Sequence, residues 1–286
     1  MWEDFPGAEE VDGKKLAEDL ARPEPKIRYV MMFTPRSGSS WLTDIASKSK
    51  RLGMPGECFN PEFLWEMVRA ANATNMKDYI EVLARRRNTR GVFGCQLTYH
   101  QLLRVFGSEE VFLSYFAGSP FFWLIREDII LQGVSLQKMV QVKVSHSTEM
   151  TSDEIAKADA AFGYNPEAIK YWVRHILVAE LGTEAMFEVF GIAPRRMSYE
   201  MNVRLGARAV LEAMAMHLGL SDATFGEIAS DHKKIATKRN FEYAERFREE
   251  YPEFVAEVEE ARAHILERLR QWDLSGAGGG VKEEVG

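Results

Sequence analysis

The chain has 286 residues, of which 46% are apolar, and a formal net charge of -7. This length and apolar content are enough for a complete hydrophobic core, which excludes a disordered or fibrous protein. Lysine and arginine are scattered without a basic block, which argues against a nucleic-acid partner. The two cysteines, Cys58 and Cys95, are too few for a disulfide framework, which favours a reducing compartment.

Both ends of the chain are expected to lie outside the folded domain. Residues 1–24 form an N-terminal extension that lacks the apolar segment of a secretory signal. Residues 274–286 have the glycine-rich composition of a flexible tail. No apolar run is long enough to cross a membrane. We therefore expect a cytoplasmic protein with no integral membrane segment and one domain over residues 25–273, because no repeat or linker divides that region.

Strand-like and helix-like segments alternate along this domain. Apolar runs predict strands over residues 27–33, 91–97, 121–126 and 195–199. Helical periodicity predicts helices over residues 41–49, 61–71, 75–86, 99–106, 129–144, 166–190, 203–218 and 252–272. The alternation predicts an α/β fold with a mainly parallel sheet flanked by helices, in which ligands bind beyond the carboxyl ends of the strands.

The first predicted strand leads into a small-residue loop, T-P-R-S-G-S-S at residues 34–40. Backbone N–H groups at the start of a helix bind anions, while Ser37, Ser39 and Ser40 add hydroxyl donors and Arg36 adds a cation. The loop therefore predicts a ligand with phosphate or sulfate. It lacks the lysine of G-x-x-x-x-G-K-[ST], which disfavours metal-dependent triphosphate chemistry. An ordinary serine-rich turn that caps the helix is the alternative.

The third predicted strand ends at Arg126, and Ser135 follows nine positions later, early in the next helix. A guanidinium fork and a hydroxyl in this arrangement can bind a second phosphate. The alternative is a structural pair between Arg126 and Glu127 or Asp128.

Glu57 lies in the segment G-E-C-F-N-P, residues 56–61. Its apolar neighbours predict partial desolvation of the carboxylate, which suits a general base. The alternative is a helix-entry carboxylate, with Asn60 as the N-cap and Pro61 as the first helical residue. The two interpretations are compatible, because Asn60 and Pro61 explain the helix start without Glu57.

A compact basic pair, Lys238 and Arg239, stands late in the acidic chain, ahead of the E-R-F sequence at residues 245–247. Such a pair can close over the phosphate of a nucleotide. The alternative is a solvated surface feature.

The segments described above resemble, in order and spacing, the bacterial sulfotransferases typified by trehalose 2-sulfotransferase. The matching motifs are P-R-S-G-S-S-W-L at residues 35–42, G-E-C-F-N-P at 56–61, G-V-F-G at 91–94, Arg126 with a following V-S, and K-R before E-R-F. They extend over about residues 27–247, which is nearly the whole chain.

The resemblance implies a sulfotransferase that uses 3′-phosphoadenosine 5′-phosphosulfate, with a sheet like that of nucleotide kinases and with no metal. It assigns the 5′-phosphosulfate to Arg36, Ser37, Gly38, Ser39 and Ser40. It assigns the 3′-phosphate to Arg126 and Ser135, and it places Lys238 and Arg239 over the nucleotide. It makes Glu57 the general base, with Arg36 stabilising the leaving nucleotide. Some relatives are dimers, so we also expect a homodimer.

The acceptor is the part that the resemblance leaves open, beyond a hydroxyl of a carbohydrate or glycolipid. Gln96 stands where relatives often have lysine, and T-Y-H-Q at residues 98–101 stands where relatives tend to show tryptophan. His100 is a candidate second base or acceptor contact, because its imidazole titrates near neutrality. A structural hydrogen bond is the alternative for His100. Tyr199 and Glu200 resemble a pair that ends a strand in many sulfotransferases, and we interpret them as structural.

Two other classes of function remain at this stage. A kinase or nucleotidase of the P-loop type would need magnesium and a set of lysine or aspartate ligands that the sequence does not display. A non-catalytic nucleotide-binding protein would have kept the loop and lost the base, and the presence of Glu57 argues against that class.

Overall fold

The computed structural model of the chain describes residues 11–142, 151–232 and 237–276. Its four strands are β1 (Ile27–Phe33), β2 (Val92–Leu97), β3 (Phe121–Ile125) and β4 (Arg195–Ser198). The helices of the described part are α1 (Gly13–Leu20), α2 (Ser39–Lys48), α3 (Leu64–Ala71), α4 (Met76–Arg86), α5 (Tyr99–Phe106), α6 (Glu109–Phe116), α7 (Ile129–Val142), α8 (Ser152–Ala161), α9 (Pro166–Val189), α10 (Tyr199–His217), α11 (Lys238–Glu250) and α12 (Pro252–Gly276).

The four strands form one parallel sheet in the order β2-β1-β3-β4. In its register, Met31 of β1 lies opposite Gln96 of β2 and Phe122 of β3, and Leu124 of β3 lies opposite Met197 of β4. The predicted α/β fold with a parallel sheet is confirmed. Because all strands run the same way, the residues that follow them are collected at one edge of the sheet.

Helices cover both faces of the sheet, which explains why the strands read as continuous apolar runs. Alternate residues of β1 point to opposite faces. Val30 and Met32 belong to a core with α3 to α6 and parts of α9 and α12. Tyr29 and Met31 belong to a second core with α2 and α10. A third apolar cluster joins α7, α9, α11 and α12 beside the sheet.

The start of α3 differs from the prediction. Asn60 and Pro61 were expected to begin this helix, but it begins at Leu64 with Phe63 as its N-cap residue. The amide oxygen of Asn60 instead accepts a hydrogen bond from the backbone N–H of Glu62, and its amide nitrogen donates to Glu57. Asn60 therefore shapes the turn before the helix and contacts Glu57.

Several helices were not predicted, although their start signals are present in the sequence. Ser108 caps α6, and Thr151 forms a capping box with Glu154 at the start of α8. The helix predicted over residues 203–218 begins earlier, at Tyr199, and contains a non-helical glycine, Gly206, with φ of 78°. The predicted end of α7 at residue 144 lies outside the described residues.

The predicted extension and tail both contain helical residues. Within the N-terminal extension, α1 packs against α4, and Arg86 donates through Nε to Oδ1 of the buried Asp19 over 2.9 Å. At the other end, α12 continues to Gly276, into the first residues of the predicted tail. Among the described helices, none has the length and apolarity to span a membrane.

Candidate active site

The loop between β1 and α2 has a strained, tightly packed backbone. Arg36 has φ of 66° and Gly38, the N-cap residue of α2, has φ of 85°. A Cβ atom at Gly38 would lie 2.8 Å from Cδ2 of Tyr199, so this position requires glycine on both conformational and steric grounds. Ser37 is fully buried, and its hydroxyl has no hydrogen-bond partner among the described residues. The buried hydroxyl and the helix N-terminus favour an anion here.

Helix α7 supports this loop through a residue that the sequence analysis missed. The side-chain nitrogen of Gln132 donates to Oγ1 of Thr34 over 2.8 Å and to the carbonyl oxygen of Pro35 over 2.7 Å. Gln132 is fully buried. A glutamine within the apolar sequence I-I-L-Q-G-V was the available signal, since a buried amide needs polar partners.

The same helix brings Ser135 to the loop. Nε of Arg36 donates to Oγ of Ser135 over 3.1 Å. Burial, together with the positive charge of Arg126, lowers the pKa of Arg36. Two guanidinium groups that repel each other in this way are stabilised by an anion between or beside them. Arg36 and Ser135, which the resemblance assigns to two different phosphates, are therefore in direct contact.

Arg126 is held by residues of the β4–α10 junction. Its Nε lies 3.5 Å from Oε1 of Glu200, and its guanidinium carbon lies 5.0 Å from the centre of the Tyr199 ring. The predicted alternative, a pair with Glu127 or Asp128, is not what the structure contains. Oε1 of Glu127 accepts from Ser198 over 2.5 Å, and Oδ1 of Asp128 accepts from Arg248 over 2.6 Å.

The turn after β3 is also fixed from α12, by a residue that the sequence analysis missed. Arg262 is buried and donates to the carbonyl oxygens of Arg126 over 2.8 Å and of Glu127 over 2.6 Å. It also makes a two-point ion pair with Glu180 of α9, with distances of 2.9 and 2.8 Å. The backbone around Arg126 is therefore held rigidly, which orients its guanidinium.

Glu57 lies beside β2, on a segment attached to both the sheet and α2. The backbone N–H of Gln96 donates to the carbonyl oxygen of Gly56 over 3.0 Å, and the hydroxyl of Thr43 donates to that of Pro55 over 2.9 Å. The carboxylate is half-buried, and its Oε2 accepts hydrogen bonds from Asn60 and Gln101, each over 3.1 Å. Glu57 is thus tied to α2, the helix that follows the loop at residues 34–40.

His100 is directed towards α9. Its Nε2 lies 3.0 Å from the carbonyl oxygen of His175, and the two rings stack with their centres 3.9 Å apart. Burial, followed by the charge of His100, lowers the pKa of His175. These contacts match the structural alternative for His100. The α5 residue that contacts Glu57 is its neighbour, Gln101.

Lys238 and Arg239 form the first turn of α11. Lys238 is 91% exposed and pairs with Glu242 over 3.0 Å. Arg239 donates to the carbonyl oxygen of Asp159 at the end of α8. Within the described part of the chain, no contact is found between this pair and residues 34–40. The start of α11 is nevertheless joined to the Ser135 helix, because the buried Lys138 donates to Oγ1 of Thr237 over 3.2 Å.

The family model of the Stf0 sulphotransferases matches residues 28–250. This match covers more than three quarters of the chain, so the protein belongs to this family, that of trehalose 2-sulfotransferase. The family assignment makes the chain a sulfotransferase. A search among curated proteins found no match.

Proposed function

We propose that the chain transfers the sulfuryl group of 3′-phosphoadenosine 5′-phosphosulfate to a hydroxyl of a carbohydrate or glycolipid. The main support is the contact of Arg36 with Ser135, beside Arg126, at the edge of the sheet where the anion-binding loop begins α2. Two buried or half-buried cations, and a buried serine hydroxyl with no hydrogen-bond partner in the described part of the chain, suit a donor with several anionic groups.

In this proposal the donor lies along the edge of the sheet. The loop from Arg36 to Ser40 binds the 5′-phosphosulfate through its backbone N–H groups, its serine hydroxyls and the guanidinium. Arg126 and Ser135 bind the 3′-phosphate. Lys238 and Arg239, at the start of α11, contribute positive charge over the nucleotide. Tyr199 packs against the loop and Arg126 and keeps both in place.

Glu57 is the general base of the proposed reaction. It takes the proton of the acceptor hydroxyl while the acceptor oxygen forms a bond to sulfur. The bond between sulfur and the bridging oxygen breaks at the same time, and its electron pair stays on the 5′-phosphate of the departing bisphosphate. Arg36 and the loop N–H groups stabilise that developing charge. His100 is retained as a candidate contact to the acceptor, one helical position from Gln101.

Ligand-induced thermal stabilisation tests the donor assignment. A ligand that binds the native state raises the apparent stability by mass action. We expect adenosine 3′,5′-bisphosphate to raise the Tm of the protein and ATP with magnesium to raise it far less. The reverse preference would support the kinase or nucleotidase alternative and overturn the proposed donor.

Replacement of the base tests the catalytic assignment. We expect Glu57→Gln to lower kcat by about 100-fold or more, with unchanged affinity for the bisphosphate, because a carboxamide cannot accept the proton. Glu62→Gln is the matched control, since Glu62 is exposed and lies on the same segment. Full turnover by Glu57→Gln would remove Glu57 from the mechanism. Absence of sulfate transfer to any acceptor, with intact bisphosphate binding, would favour a non-catalytic nucleotide-binding protein.

A further inference from the structure

Among the described residues, the carboxylate of Glu57 is held through one of its two oxygens. Oε2 accepts hydrogen bonds from Nδ2 of Asn60 and from Nε2 of Gln101, each over 3.1 Å. We propose that Asn60 and Gln101 are positioning residues: their hydrogen bonds occupy Oε2 of Glu57 and orient Oε1 towards the acceptor hydroxyl. This role rests on the proposed function, in which Glu57 is the general base.

The amide of Gln101 has a defined orientation because its oxygen is already engaged. Oε1 of Gln101 accepts from the backbone N–H of Thr98 over 2.9 Å, and Oγ1 of Thr98 accepts from the backbone N–H of Gln101 over 3.2 Å. These reciprocal bonds form the capping box at the start of α5. With the oxygen bound to a backbone donor, the amide nitrogen of Gln101 must face Glu57.

Asn60 is oriented in the same manner. Its Oδ1 accepts from the backbone N–H of Glu62 over 3.1 Å, so its Nδ2 is the group that faces Glu57. The two donors come from different parts of the fold, one from the turn before α3 and one from the first turn of α5. Together they restrain the carboxylate from two sides.

The restraint has a chemical consequence for proton transfer. An oxygen that accepts two hydrogen bonds has its lone pairs occupied and is the poorer proton acceptor of the two. The proton of the acceptor hydroxyl therefore goes to Oε1, as the new bond to sulfur forms and the bridging bond breaks. A small displacement of a general base lowers the rate by a large factor. The amides of Asn60 and Gln101 hold the carboxylate of Glu57 in place, so they affect turnover although they do not contact the reacting atoms.

Gln101→Glu separates the positioning role from helix capping. The introduced carboxyl keeps an oxygen for the backbone N–H of Thr98, because glutamate also serves at this capping position. It removes the donor to Glu57 and places a negative charge beside it. We expect kcat to fall by about 10- to 100-fold, with the acceptor KM and the Kd for the bisphosphate unchanged within about twofold.

The pH dependence supplies a readout that a merely structural role would not change. Two adjacent carboxyls share protons, so one of them becomes protonated as the pH falls. The proton that the pair takes up at the higher pH is shared between Glu57 and position 101, and Glu57 cannot act as a base while it carries that proton. We therefore expect the acidic side of the kcat–pH profile of Gln101→Glu to move to higher pH than that of the unmodified protein.

Two further variants complete the test. Asn60→Asp keeps the oxygen that the backbone N–H of Glu62 requires and removes the donor, so kcat should also fall by about 10-fold or more. Gln271→Glu is the matched control, because Gln271 makes an exposed amide contact of 3.3 Å with Glu267 on α12. This control should leave kcat unchanged.

The outcomes distinguish this inference from the proposed function. If Glu57→Gln abolishes turnover while Gln101→Glu and Asn60→Asp keep the full kcat, the positioning role is wrong and the general base stands. If Glu57→Gln keeps the full kcat, the proposed base itself is wrong. If Gln101→Glu does not fold, Asn60→Asp decides the inference by the same measurement of kcat against KM.

Discussion

Two groups of buried polar residues differ in how their hydrogen bonds and charges are satisfied. One is the ionic network between α9, β4 and α12, built on Glu180 and Glu184. Glu180 is paired with Arg262, and Glu184 accepts from Trp123 over 2.8 Å and from Nη2 of Arg196 over 2.7 Å. Its buried charges are thus compensated within the protein, as burial of charge requires.

The loop at residues 34–40 is the other group, and in the proposed function the donor completes its polar interactions. The hydroxyl of Ser37 is buried without a hydrogen-bond partner in the described ranges. Burial, followed by the positive charge of Arg126, lowers the pKa of Arg36. If the proposed function is right, the comparison separates buried polar groups that are satisfied within the protein from buried polar groups that a bound ligand satisfies.

The largest expected effect is in the ionic network. Arg262→Met leaves the carboxylate of Glu180 buried without its partner, so we expect the free energy of unfolding to fall by about 3–5 kcal/mol. Bisphosphate binding should weaken as well, because Arg262 also holds the carbonyl oxygens of Arg126 and Glu127. Chemical denaturation measures the first effect, and titration with the bisphosphate measures the second.

Two controls show whether the uncompensated charge is the cause. Arg262→Met combined with Glu180→Leu should recover part of the lost stability, because no charge is then left buried. Arg268→Met, at a 38% exposed arginine that also contacts Glu184, should cost about 1 kcal/mol or less. A loss below about 1 kcal/mol for Arg262→Met would mean that the buried ion pair of Arg262 and Glu180 does not stabilise the fold more than an exposed pair does.

Gly38→Ala tests the shape of the loop. We expect a loss of stability of about 2 kcal/mol, from a positive φ and from a Cβ atom 2.8 Å from the Tyr199 ring. Gly118→Ala is the matched control, because Gly118 also has a positive φ, 72°, and a Cβ atom there would meet no atom of the described residues within 4 Å. The control should lose only about 1 kcal/mol and keep bisphosphate binding, whereas Gly38→Ala should lose that binding.

Ser37→Ala and Ser198→Ala compare the two kinds of buried hydroxyl directly. Both serines are fully buried, but Oγ of Ser198 donates to Glu127 and accepts from the backbone N–H of Met201. We expect Ser198→Ala to destabilise the protein by about 1–2 kcal/mol. Ser37→Ala should leave stability unchanged or raise it, and should weaken bisphosphate binding about five- to tenfold, near 1 kcal/mol. Equal losses of stability in both variants would contradict the distinction.

Much of the fold and several site residues could be predicted because their signals are local. The strands are apolar runs bounded by turn residues, and the predicted ends agree with the structure within about one residue. The loop at residues 34–40 and the Glu57 segment were found from short sequence patterns. Helix starts were predicted less reliably. Asn60 and Pro61 have the local sequence signature of a helix start, but the side chain of Asn60 donates to Glu57 and the helix begins later.

The supporting residues could not be predicted because their partners are distant in sequence. Arg262 holds a carbonyl oxygen 136 residues away, and Gln132 holds the loop from 98 residues away. Gln101 was visible only as a departure from the family pattern, and its contact with Glu57 depends on how α5 meets the segment beside β2. Such contacts follow from tertiary packing. A polar residue in an apolar segment, such as Gln132, indicates a buried polar contact, but the residue type does not identify the partner.

The smallest expected effect concerns Lys238, whose charge is neither buried in a network nor buried in the loop. Its ammonium is 91% exposed and pairs with Glu242. We expect Lys238→Ala to change the free energy of unfolding by less than about 0.5 kcal/mol and to weaken bisphosphate binding about two- to threefold at low salt. At about 1 M salt, where the Debye length is about 3 Å, the difference in affinity should vanish.

Arg208→Ala removes a similar exposed pair with Glu212 on α10 and should leave the affinity unchanged at any salt concentration. Unchanged affinity of Lys238→Ala at low salt would remove Lys238 from the donor site. A loss of tenfold or more that persists at high salt would instead mean that the ammonium contacts a phosphate directly, because a desolvated contact is screened far less than an exposed charge.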